Sequence, residues 1–83
     1  MNEIKYSSAV VHIKPSPNSN YVPYGLISFK DLPRVSDFIN LELQGEFCIY
    51  KVVAVIHPMD TTEPCKIFAH YEGKTNDVIQ NLT

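Results

Sequence analysis

The chain has 83 residues, of which 45% are hydrophobic and 19% charged, with seven Lys and Arg against nine Asp and Glu. That composition is too apolar and too weakly charged for a disordered chain, and the length allows one small domain, residues 1–83, that buries only about 60–65% of its unfolded surface. The formal charge of −2 argues against nucleic acid as a partner, because proteins that track phosphate backbones are usually strongly basic.

From Glu3 to Lys14, EIKYSSAVVHIK is rich in β-branched residues and has no helix-start signal, which predicts a strand. Its even positions Ile4, Tyr6, Ser8, Val10 and His12 share one face. PSPNSN then forms a surface loop long enough to move. YVPYGLISF resumes the extended pattern, with Pro23 and Gly25 expected at the strand's start or at a bulge, since proline cannot donate to a central ladder. Leu26, Ile27 and Phe29 are its core candidates.

DLPRVSD makes a compact turn: Pro33 holds Leu32 extended, and the side chains of Ser36 and Asp37 can bond nearby backbone. FINLEL alternates Ile39, Leu41 and Leu43 with Asn40 and Glu42, the period of a strand with one buried face, and leaves Phe38 out of phase at its entry. Gly45 in QGE, free to take a positive φ, signals a short hairpin loop. The run that follows, FCIYKVVAVI, is apolar on both parities and is therefore a strand buried on both sides or sharply bent. Its valines and isoleucines disfavour a helix, and no cap precedes it.

HPMDTTEP breaks the pattern. CKIFAHY alternates again, placing Cys65, Ile67, Ala69 and Tyr71 on one face and Lys66, Phe68 and His70 on the other. After Gly73, Thr75 or Asn76 can cap a short helix carrying Val78, Ile79 and Leu82. The expected fold is thus all-β and mainly antiparallel, a small five-stranded barrel with at most one short C-terminal helical turn. The FINLEL hairpin is expected at its centre, and the first or last strand at an edge.

The segment LPRVSDFINLELQGEFCIYKVVAVIH resembles a pattern of small uncharacterised bacterial and phage proteins, in which a Leu-Pro-Arg-Val-Gly-Asp turn leads to a strand, a tight turn and a strand ending in histidine. It is more loosely similar to the turn-and-strand core of Src-homology-three-like barrels. Ser36 stands where that pattern usually has glycine. The resemblance implies a barrel fold and brings no activity, cofactor or catalytic residue with it.

Chemistry-bearing residues are sparse. His12, His57 and His70, with Cys48, Cys65, Asp60 and Glu63, lack the close spacing of a zinc signature, so no metal and no cofactor are expected. Cys65 and His70, five apart on one strand, fall on opposite faces. The two cysteines are too few for a disulfide framework and read as small buried hydrophobes. His57, three residues from Asp60, can form a local hydrogen bond, the one hint of a small hydrolase. The three glycines never cluster into a phosphate cradle. No catalytic residue is assigned, and no enzyme activity is expected.

Aromatics carry more. Tyr6, Tyr21, Tyr24, Tyr50 and Tyr71 exceed what so small a barrel can bury, and tyrosine favours interfaces. Tyr21 and Tyr24 flank Pro23 after the loop, and with Pro23, Arg34 and His57 they form the expected binding set. The expected function is a non-enzymatic module for a protein partner or self-association, an accessory or inhibitor protein working through this surface and an unpaired strand edge. The alternative is a barrel that stacks single-stranded nucleic acid, which needs its scattered lysines gathered beside the rings. No apolar run reaches the roughly 18 residues of a membrane span, and MNEIKYSSAV lacks a signal-peptide core, so a cytoplasmic protein is expected.

Overall fold

The computed structural model describes residues 7–60 and 62–82. Five strands follow one another, β1 (Ser7–Lys14), β2 (Val22–Phe29), β3 (Phe38–Leu43), β4 (Glu46–Ile56) and β5 (Cys65–Lys74), and a helix α1 (Thr75–Leu82) follows β5 directly. They form one curled sheet in the order β2-β1-β5-β4-β3. Three of its neighbouring pairs are antiparallel; β1 and β5 run parallel, Ala9 opposite Cys65 through Lys14 opposite His70. The sheet is therefore mixed, and the whole β2–β4 segment serves as the long connection that a parallel pair requires.

Alternation decides which side faces in. Ala9, Val11 and Ile13 of β1, Ile39 and Leu41 of β3, Cys48, Tyr50 and Val52 of β4, and Ile67 and Ala69 of β5 make the buried core on the concave side. The apolar run of β4 owes its double parity to a bulge. Val52 pairs with Ala69 but Ala54 with Phe68, so Val53 is the extra residue. Beyond it the inward phase passes from even to odd positions, and Val55 joins the core where Val53 and Ala54 do not. Of the two readings of this run, the bend is the one the chain takes.

Both turns of the β3–β4 unit show why these residues are there. Gln44 and Gly45 have φ of 53° and 82°, the two positive values of a type I′ turn, whose twist matches that of the strands it joins. In the preceding turn Asp37 N–H donates to the Arg34 carbonyl at 3.0 Å, and the Asp37 carboxylate accepts from Arg34 N–H at 2.8 Å. Ser36 takes φ of 79°, the left-handed region that costs an L-residue roughly 1–2 kcal/mol. The turn is pinned to β4 by Ser36 N–H to the Val52 carbonyl and Val52 N–H to the Asp37 carbonyl, each 2.8 Å.

Several expectations need correction. The β3–β4 hairpin lies at one end of the sheet, and the first and last strands are its centre; β2 and β3 are the edges. Leu26 is 65% exposed, because its neighbours Ile27 and Phe29 lean on the core and alternation turns Leu26 outward. The short C-terminal helix is present as expected, eight residues long, and the Thr75 hydroxyl donates to Asn40 Oδ1 at 2.8 Å, docking it on β3. Pro23 sits where expected, on an edge strand beside a bulge: Val11 pairs with Gly25 and His12 with Pro23, leaving Tyr24 as the extra residue. The expected strand residues Glu3 to Tyr6 lie outside the described residues. The 15–20 loop is drawn into a turn by Ser19, whose N–H and hydroxyl both reach the Ser16 carbonyl, at 3.1 and 2.9 Å.

Among the described residues the sheet does not close by strand pairing. Its edges approach each other all the same, and the Tyr24 hydroxyl on β2 donates to the Glu42 carbonyl on β3 at 2.7 Å.

Candidate functional site

The five residues singled out in the sequence occupy three places. Tyr24 is half-buried and spans the gap between the edges. Arg34 and His57 line one shallow cleft at the end of the sheet with Leu32, Pro33, Val35 and Val55. Tyr21 lies over the outer face, and Pro23 is on the edge strand opposite His12.

His57 also borders a larger cleft of about 580 Å³ with Cys65, Glu63 and Leu26. Its Nδ1 is 3.5 Å from Cys65 Sγ. The expected bond to Asp60 is not made: the Asp60 carboxylate accepts from Thr62 N–H and hydroxyl at 2.9 and 2.8 Å, and these bonds hold its pKa below the usual range. A thiol beside an imidazole is half of a nucleophilic site. Among the described residues no carboxylate bonds the second nitrogen of His57, and no group of three or more metal-binding side chains occurs. Both cysteines are free, Cys48 buried and Cys65 half-buried.

The outer face of β1, β5 and β4 assembles residues from three distant segments. The parallel pairing sets Val10 beside Lys66, His12 beside Phe68 and Lys14 beside His70. On the other side of β5, Ile56 stands beside Lys66, Ala54 beside Phe68 and Lys51 beside His70. Three rows result, about 6.7 Å apart along the strands, with neighbouring strands about 4.8 Å apart. One row is Lys14, His70, Lys51, and the next is His12, Phe68, Ala54.

The rings in this array touch. His12 and Phe68 stack with centroids 4.9 Å apart and planes 12° from parallel. Tyr21 meets Phe68 edge-on at 5.2 Å and His70 at 5.5 Å, with its hydroxyl hydrogen-bonded to His70 Nε2. Lys14 Nζ stands 5.9 Å from the centre of the Tyr21 ring, inside cation–π range. Tyr21, 38% exposed, is the ring of this cluster most open to solvent, and His12, Phe68 and His70 are half-buried.

No protein-family model, curated protein or solved structure matches this chain.

The outer face therefore has to be read from its own chemistry. Its nine positions carry Lys14, Lys51 and Lys66 and no carboxylate. Since the whole chain sums to −2, the residues other than these three lysines sum to −5; one of their carboxylates, Glu72, borders the face in a shallow cleft with Lys14 and His70. Lys74, by contrast, is paired with Glu46 at 3.5 Å. Sequence reasoning missed His12, Lys14, Lys51, Lys66, Phe68 and His70 as a group. Alternation had already put Lys66, Phe68 and His70 on one face; the missing signal was the adjacency of the first and last strands.

Proposed function

We propose that the chain is a non-enzymatic binding module that engages an anionic partner on the outer face of β1, β5 and β4. One observation carries this reading: three lysines and two histidines lie among contacting rings at nine neighbouring outward positions that hold no carboxylate, with Glu72 at their border beside Lys14 and His70, in a protein whose net charge is −2. Opposite charge steers such partners together and penalises wrong ones. The edges offer less to an added strand, since the Glu42 carbonyl of β3 is already taken by Tyr24. Among the described residues the Cys65–His57 contact lacks an orienting group, and it gives no equal support to catalysis. Among the described residues no helix is long and apolar enough to cross a membrane. Two free thiols suit a reducing compartment, and we place the protein in the cytoplasm. Its role as an accessory factor of bacterial or phage origin rests on the turn-and-strand resemblance alone.

The test is capture from an extract of the source organism on immobilised wild-type protein and on a variant carrying Lys14→Glu, Lys51→Glu and Lys66→Glu. The wild type should retain a component that the variant releases. Retention by both, or by neither, refutes the assignment of this face.

A further inference from the structure

We infer that the partner of this face is single-stranded nucleic acid, its phosphates held by Lys14, Lys51 and Lys66 and its bases stacked on the Tyr21, Phe68 and His12 cluster. The inference rests on the reading of that face as the binding surface and adds the identity of what binds there.

Three properties select this ligand. An acidic peptide would satisfy the lysines but has no general use for a ring platform, whereas every base has a π-face and stacks without regard to sequence. Lys14 and Lys51 are two strands apart on either side of His70, roughly 10 Å; Lys14 lies over the Tyr21 ring, so a phosphate it holds sits beside the rings on which bases stack. The surface is an open sheet face rather than a groove or a projecting helix, which suits bases splayed out of a helix more than a duplex presenting only its backbone. The overall acidity of the chain is compatible with this, because binding responds to the field where the phosphates sit and not to the summed charge.

The energetics give distinct signatures. Each cation that displaces a counterion from a single strand steepens the dependence of log K on log salt by about 0.7, so three lysines predict a slope of about −2. Stacking is insensitive to salt. Removing Tyr21 should weaken binding roughly tenfold at an unchanged slope, and removing Lys51 should make the slope shallower by about 0.7.

Fluorescence anisotropy with labelled oligodeoxythymidylate and oligouridylate of about 12 nucleotides reads both terms for the wild type, Tyr21→Ala, Lys51→Ala and Phe68→Leu, each first checked for an unchanged circular dichroism spectrum. The expected result is binding with the stated slope, loss on Tyr21→Ala at constant slope, and weak competition by a duplex of the same length. Comparable affinity for the two probes would mean that the 2′-hydroxyl is not read; a preference would assign RNA or DNA. Heparin competing as well as the oligonucleotide, with Tyr21→Ala binding like wild type, would reduce the face to a polyanion-adhesive patch and overturn the inference. Absence of binding to both probes, while the extract experiment still shows a nuclease-resistant component released by the lysine variant, would overturn the nucleic-acid assignment and leave the face standing as a protein-binding surface.

Discussion

Replacing Tyr24 by Phe isolates the bridge between the two sheet edges. The substitution keeps the half-buried ring and deletes only the hydroxyl that donates to the Glu42 carbonyl at 2.7 Å. A neutral hydrogen bond of this kind contributes about 0.5–1.5 kcal/mol net; water can reach the orphaned carbonyl at an exposed edge, which puts the loss near 1 kcal/mol. Tyr24→Ala also removes the ring. Full burial of an aromatic would make that cost about 3–5 kcal/mol, and half-burial brings the total to roughly 2–3 kcal/mol. For a domain of this size 1 kcal/mol lowers Tm by about 4–8 °C and moves a urea midpoint by roughly 1 M. Thermal melts followed by circular dichroism, with urea titrations alongside, should therefore rank wild type above Tyr24→Phe above Tyr24→Ala. The folded Tyr24→Phe protein should bind oligonucleotide like wild type, because Tyr24 bridges the edges away from the ring cluster. A Tyr24→Ala protein melting with the wild type would refute the closure argument and return Tyr24 to the list of candidate binding residues.

Two further outcomes follow from the backbone and the core. Ser36→Gly relieves a left-handed serine at φ 79° worth about 1–2 kcal/mol, offset by about 0.4–1 kcal/mol of extra unfolded-state freedom. Stability should rise by roughly 0.5–1 kcal/mol in denaturant titration, and an unchanged midpoint would mean the serine is unstrained. Tyr50 is buried, and desolvation first, then Cys48, Tyr71 and Tyr24, raise its pKa above 10.0. The folded state thus holds the phenolic proton more tightly than the unfolded chain, so the contribution is intact below pH 10 and is lost as pH climbs past it. Tyr50→Phe should flatten the fall of stability across that range, measured as urea midpoints from pH 8 to 11; parallel curves for the two proteins would show that another group sets the slope.

How far the sequence could be read depended on the range of the contacts involved. Alternation in FINLEL and CKIFAHY and the Gly45 hairpin are local, and strands, turns and inward faces followed from them. Tertiary pairing is not local. Nothing in SSAVVHIK announces that it lies parallel to a segment more than fifty residues later, Ala9 opposite Cys65, so the expectation placed the first or last strand at an edge. The same gap concealed the proposed binding face. His12 and Phe68 read separately as ordinary outward residues, and the net charge of −2 concealed a positive face because a sum carries no geometry. Leu26 was misplaced for a subtler reason: in a strand apolar at successive positions, alternation alone cannot say which phase faces in. The His57–Asp60 pairing failed because Thr62, two residues away, offers the carboxylate both a backbone and a side-chain donor.

The parallel seam between β1 and β5 also governs when the protein becomes competent. During synthesis β1 and β2 can pair early, and the Gln44–Gly45 turn lets β3 and β4 form a hairpin of their own, but β1 has no neighbour on its second side until β5 has left the ribosome. Such a late, long-range closure slows folding and leaves the unpaired side of β1 exposed to other nascent chains in the interval. The lysine and ring rows exist only after that closure, so incomplete translation products cannot compete with the finished protein for the ligand proposed above.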